Sequence, residues 1–169
     1  KILSSRAVLA PKNAVVDAFN TEILSHFPAD SVIDYVSTDR IGGGQEEDYV
    51  NFPIEFLNSL ELSGLPPHRL RLCPGAVIIL MRNLNSNLGL CNGVRALVVD
   101  CKPRCLDVLI LTGKCSGQRF FLPRIPMSSQ PGALPFPLIR RQFPCKLAWA
   151  MSINKAQGQS LQRAGLLLE

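Results

Sequence analysis

Ala148-Trp149-Ala150-Met151-Ser152-Ile153-Asn154-Lys155-Ala156-Gln157-Gly158-Gln159-Ser160-Leu161 is the stretch that decides the architecture of this 169-residue chain. An apolar strand, read over 145–151, ends in a hydroxyl, an amide, an ammonium, a second amide and a glycine. Loops at the carboxyl ends of strands are where parallel α/β folds hold ligands. Gly158 lets a backbone N–H come close to phosphate oxygens because no Cβ stands in the way. Ser152 and Asn154 can donate to a nucleic-acid backbone, and Lys155 can neutralise it. The competing reading of the same residues is a polar helix start closed by a capping glycine. Residues 164–168 then read as another apolar strand.

Working back to the other end, residues 7–10 form a short apolar run and Pro11-Lys12-Asn13 a turn. Asn13 is placed to cap a helix, its side-chain oxygen accepting from an exposed backbone N–H. Val15, Val16, Phe19, Ile23, Leu24 and Phe27 recur at helical spacing, and Pro28 stops the helix because it has no N–H to donate. With a second strand over 32–36, this opening is βαβ-like and belongs to a parallel α/β layer. Gly42-Gly43-Gly44 followed by Glu46, Glu47 and Asp48 reads as a mobile acidic loop. It is no phosphate cradle: the carboxylates repel phosphate, and no Lys-Ser or Lys-Thr follows. Pro53 opens a short helix over 54–60.

From His68 the pattern is all-β. Leu70-Arg71-Leu72 alternates, Pro74-Gly75 turns, and residues 76–81 form a wholly apolar strand. Asn92-Gly93 is a hairpin signal ahead of a strand over 94–99. Residues 106–111 and 119–122 add two more, joined through Gly113 and Gly117. Short strands with tight turns predict a small barrel of SH3 or OB type. Pro123, Pro126, Pro131, Pro135 and Pro137 predict an extended, loop-rich exit from it. The expected fold is therefore α/β, with the barrel inserted into a parallel unit.

Composition bounds the function. With 47% hydrophobic and 18% charged residues the chain can bury a core and is not disordered. No apolar run approaches the ~18 residues of a membrane span. The start, Lys1-Ile2-Leu3-Ser4-Ser5, has no signal-peptide core and no Met, so a fragment is expected. The six cysteines lack metal-ligand spacing and read as incidental thiols of a reducing compartment. Charge is segregated: residues 12–61 hold ten acids and two bases, and residues 69–146 hold twelve bases and two acids. A basic block of that size suits a polyphosphate partner.

These residues carry a resemblance. The stretch from Ala148 to Leu161 resembles motif V of the PIF-one (petite integration frequency) DNA helicases, and residues 136–147 resemble its lead-in. Leu9-Ala10-Pro11-Lys12-Asn13, continuing to Val16 and Asn20, is similar to motif IV. Residues 57–68, 74–84 and 89–95 are similar to the Helitron-transposon branch, and Asn154 favours that branch. The resemblance implies a partial RecA-like parallel sheet, the second motor domain of a helicase, with an inserted SH3-like β-barrel. It divides the chain into 1–66, 67–136 and 137–169. It implies DNA contacts at Pro11, Lys12, Asn13, Ser152, Asn154 and Lys155, with Arg140 and Arg141 as further ones. It places Gln157, Gly158 and Gln159 at the nucleotide cleft.

The parent it implies is an ATP-dependent 5′→3′ DNA helicase using ATP and Mg²⁺. Its partners are single-stranded DNA, duplex junctions and the first RecA-like domain of the same polypeptide. The roles that follow are repair, recombination or telomere maintenance, in the nucleus or alternatively the mitochondrion. The sequence contains no G-x-x-x-x-G-K-[ST]: Gly113-Lys114-Cys115 ends in Cys, with Val108 where the first glycine belongs. It also lacks the acidic magnesium motif and motif VI arginine, so the chain alone is expected not to hydrolyse ATP. The alternatives are a transposon-derived nucleic-acid-binding module without a motor, and a protein-interaction adaptor using the acidic loop and the barrel.

Overall fold

The two ends of the sequence meet in one sheet. In the computed structural model, which describes residues 3–43, 50–157, 159 and 161–168, β1 (Arg6–Ala10) lies between β12 (Ala150–Ser152) and β13 (Arg163–Leu166). Both pairings are parallel, with Ala10 opposite Ser152 and Leu9 opposite Leu166. One face is covered by α1 (Asn13–Ser25), through Val16 against Ala10 and Ala150. Asn13 is not the helix cap: Lys12 occupies that place, and no side chain caps the helix.

Among the described residues the other ten strands are antiparallel, in three sheets. β2 (Ile33–Val36) and β4 (Arg69–Leu72) pair with each other. The expected βαβ opening is thus corrected, because β2 leaves the parallel layer. Tyr35, Leu70 and Leu72 face inward there and join the largest apolar cluster. A five-stranded sheet runs β11-β5-β6-β7-β8, built from Cys145–Leu147, Val77–Leu80, Arg95–Cys101, Cys105–Ile110 and Arg119–Pro123. The wholly apolar β5 has a physical cause. Ile78 and Leu80 enter the large cluster, whereas Val77 and Ile79 enter a second one with Leu111 and Ala148. A strand buried on both faces has no polar alternate.

The Asn92-Gly93 turn lies before β6 as expected, but β5 and β6 are joined by the longer segment 81–94, with an Asn85–Leu90 bridge inside it. The proline-marked segment is not merely loop. β9 (Ile125–Ser128) and β10 (Leu138–Gln142) pair with β3 (Thr38–Ile41) in the order β3-β10-β9. Alternate residues Met127 and Leu138 pack with Ile41 and with Leu57 of α2 (Ile54–Ser59). Pro126 is tolerated because β9 is an edge strand. The acidic residues 46–48 lie outside the described residues.

A further correction concerns residues 145–151, expected as one strand. Cys145–Leu147 pairs antiparallel with β5, and Ala150–Ser152 pairs parallel with β1. The chain changes sheets at Ala148-Trp149, where Ala148 N donates to Val77 O at 2.8 Å and Val8 N donates to Trp149 O at 3.1 Å. The Trp149 ring packs on Phe27 with centroids 5.6 Å apart.

The six cysteines are free thiols. Burial pushes the Cys101 thiol up to about 11 from the ordinary 9.0, and burial likewise raises Cys145 and the neighbouring Tyr35 phenol. A folded thiol that keeps its proton where the unfolded one has lost it contributes stability that is complete below the unfolded pKa. That contribution is lost as pH rises from about 9 through about 11. The urea midpoint is therefore expected to fall across this window, and to fall less in Cys101→Ser. A midpoint indifferent to pH there would mean these groups are not shielded.

Candidate nucleic-acid interface

The parallel register decides the geometry. Ala10 and Ser152 are partners at the carboxyl ends of neighbouring strands, so Pro11-Lys12-Asn13 and the loop from Ser152 leave the sheet on the same edge. Pro11, Lys12 and Asn13 are exposed. Asn154 and Lys155, on the short α3 (Ile153–Ala156), and Gln157 after it are exposed too. Ser152 and Gln159 are half-buried, and Gly158 lies outside the described residues. The two segments expected to act together are thus neighbours, and Lys155 is on the surface.

Across from this loop stands the five-stranded sheet. A cleft of about 820 Å³ is lined by Asn154, Lys155, Gln157 and Gln159 on one side and by Asn92, Gly93, Thr112 and Ser116 on the other. Among the described residues its lining has hydroxyls and amides, a single cation in Lys155, and no carboxylate. Such a surface offers hydrogen bonds to a sugar-phosphate chain with one point charge to hold a phosphate. Lys155 Nζ lies 3.4 Å from Asn92 Oδ1.

Two residues that belong to the resembling stretches, but to which the sequence assigned no role at the site, hold this edge in place. Asn20, 1% exposed, accepts from Ala150 N at 2.8 Å through Oδ1 and donates to Ala150 O at 3.0 Å through Nδ2. β12 is an edge strand of its sheet, and the carboxamide supplies it with the donor and acceptor a neighbouring strand would have supplied. The signal was present: Asn20 stands midway between Val16 and Leu24 on the buried stripe of α1, where a polar residue demands a partner. Arg95, 1% exposed, donates to Arg6 O at 2.9 Å and to Ala148 O at 3.3 Å, tying β6 to the point where the chain changes sheets. Burial lowers its pKa, and its buried Nε has no hydrogen-bond partner among the described residues.

Arg140 is a correction. Expected as a DNA contact, it is fully buried, with its side chain 1% exposed beside an Asp39 side chain at 0%. Its Nε and Nη2 reach Asp39 at 3.0 and 2.6 Å, and its Nη atoms donate to the carbonyls of Leu57, Leu60 and Pro66 at 3.1 Å each. Every donor face is spent inside the protein, so none is left for a phosphate. Ser37 completes the cluster, donating to Asp39 at 2.7 Å and meeting His68 Nδ1 at 2.8 Å. Arg141 is exposed, but on β10, in a different sheet from those that line the cleft.

Residues 55–101 match the family described as the 2B domain of DNA helicase Pif1. Over 92 residues the chain is 39% identical to the ATP-dependent DNA helicase PIF1 of Danio rerio, and over 95 residues 39% identical to that of Homo sapiens. The chain is thus similar to one segment of the Pif1 helicases. Each of these alignments covers 54% of the chain and 14% of the relative, so the matched part spans about a seventh of the curated relatives. The fold agrees over a longer stretch. The Pif1 helicase from Candida albicans superposes with a TM-score of 0.65 at 22% identity, covering 94% of this chain and 39% of that one. Bacteroides Pif1 bound to ssDNA gives 0.66 at 18% identity, covering 95% and 34%. The mixed α/β arrangement is thus that of part of a Pif1 helicase. The Pif1 2B match spans α2, β4, β5 and β6, the elements that lead to the Asn92-Gly93 wall of the cleft.

Proposed function

We propose that this chain forms the strand-holding edge of an ATP-dependent 5′→3′ DNA helicase. In this reading β12-β1-β13 is part of a RecA-like motor domain, and the five-stranded sheet with β2-β4 is an inserted SH3-like barrel. The ranges 1–66, 67–136 and 137–169 are then motor, insertion and motor again, although β2-β4 and β3-β10 pair across those boundaries. Single-stranded DNA is the substrate held here, with duplex junctions and the first RecA-like domain as the parent's other partners. The observation that carries the reading is the shared carboxyl edge of β1 and β12: exposed Lys12 leaves the sheet at the same edge as Asn154 and Lys155, which line a cleft with no carboxylate among its described residues. Similarity to a Pif1 solved with ssDNA supports it.

ATP supplies the free energy for translocation in such a parent, but the residues at this edge do not fit a Mg²⁺-nucleotide site by themselves. Gln159 spends its Nε2 on the carbonyls of Gly93 and Lys155, and among the described residues no carboxylate lines the cleft to hold Mg²⁺. What these residues do is bind and orient. Lys155 pairs with a phosphate, Asn154 and Ser152 donate to the backbone, and Asn20 keeps β12 at the depth from which they reach.

Because Lys155 is the cation in the cleft lining, its removal has a defined signature. Each phosphate neutralised on a single strand contributes about −0.7 to the slope of log K against log salt. Lys155→Ala is expected to weaken binding of an oligo(dT) single strand at low salt and to flatten that slope by about 0.7. An unchanged slope in a fluorescence-anisotropy titration would remove the strand from this cleft.

A further inference from the structure

Gln159 and Asn92 act on the same residue from two directions. Gln159 Nε2 donates to Gly93 O at 3.0 Å and to Lys155 O at 3.2 Å, which uses both of its hydrogens. The opposite orientation of the carboxamide would set its oxygen against two carbonyl oxygens, so the assignment is forced by chemistry. Asn92 Oδ1 lies 3.4 Å from the ammonium of Lys155 itself. Backbone and head group of one lysine are therefore tethered to a single turn, Asn92-Gly93, more than sixty residues away in sequence.

That turn is a firm anchor. Gly93 N donates to Leu80 O at 2.9 Å and Val94 N to Cys91 O at 3.1 Å, which fastens the turn to β5. Gly93 sits at φ +92° with nothing near its missing Cβ, so the turn is held by backbone geometry rather than by packing. Lys155, by contrast, projects from a four-residue helix that has no side-chain cap. Left alone, such a side chain would have to be ordered each time it met a ligand.

We propose that Asn92 and Gln159 are positioning residues, which hold Lys155 at the cleft in the place a phosphate will occupy and tie its position to that of the five-stranded sheet. The inference rests on the strand-binding reading above and adds how the lysine is held and by which part of the fold. Asn92 suits the task because its oxygen is neutral: it orients the ammonium without pairing its charge, and an anionic phosphate oxygen makes the stronger bond. A carboxylate in its place would compete with the strand.

A double-mutant cycle on the full 169-residue chain tests this, with labelled oligo(dT) as the ligand and thermal melting to confirm that each variant folds. Asn92→Ala and Gln159→Leu are each expected to weaken binding roughly two- to tenfold, the cost of ordering one free side chain. Both losses should vanish in the Lys155→Ala background if the two carboxamides act on the strand through the lysine and make no bond to it themselves. Losses that persist without Lys155, or no loss in its presence, would overturn the proposal. If Lys155→Ala itself changes neither affinity nor salt slope, the strand-binding reading fails separately. A ligand-free measurement then decides the tether: the Lys155 ε-methylene resonance moves in Asn92→Ala if the contact exists and stays put if it does not.

Discussion

Arg140→Ala is expected to lower the stability of the chain by about 3–5 kcal/mol, the usual cost of leaving one charge of a buried pair alone. The magnitude follows from the enclosure. Asp39, at 0% exposure, would be left with Ser37 and with His68 at 3.7 Å as its remaining partners, and the carbonyls of Leu57, Leu60 and Pro66 would lose their donor. Arg140→Lys is expected to recover only part of the loss, because an ammonium cannot reproduce the planar fork that reaches both Asp39 oxygens and three carbonyls. Urea denaturation with one slope for all variants is the measurement. A variant that kept its midpoint while losing DNA affinity would return Arg140 to the surface role expected from the sequence.

The second large effect is expected at Asn20. Asn20→Ala removes the side chain that serves both the N–H and the C=O of Ala150, and each backbone group left dry and unpaired costs about 1–3 kcal/mol. The sum, about 2–6 kcal/mol, falls on the strand that carries Ser152 and leads into Asn154 and Lys155. Stability and strand binding should therefore decline together, unlike in Lys155→Ala, where binding declines alone. Asn20→Asp is the informative companion. It keeps an acceptor for Ala150 N but sets a carboxylate oxygen against Ala150 O, so it should be worse than a simple loss of one hydrogen bond. Retained stability in both variants would show that water or a neighbouring segment satisfies this edge instead.

These two sites mark how far the sequence could be read. Its motifs named two segments expected to act together, and those around Lys12 and Lys155 do leave one sheet edge, because β1 and β12 are parallel neighbours. The same motifs misjudged Arg140. A pair such as Arg140-Arg141 in a basic segment looks alike from either side, and only the strand alternation of β10, set by its neighbours β3 and β9, sends one inward to Asp39 and the other out. Asn20 stood in plain view on an apolar helical stripe, but its partner lies 130 residues away.

What the sequence determined by itself was local. Runs of β-branched and apolar residues placed most strands, the helical spacing of Val16 and Leu24 placed α1, and the hydroxyl, amide and ammonium after Met151 set the donors that the loop carries. Tertiary structure decided which strands are neighbours. It moved β2 beside β4, broke residues 145–151 between two sheets, and made part of the proline-marked segment, β9, the edge strand of a third. The reason is that burial leaves its period in the side chains, whereas strand pairing is made by backbone N–H and C=O groups that are the same at every non-proline residue. A sequence records how many faces of a strand are covered; the partner is chosen only when distant segments compete for the same edge.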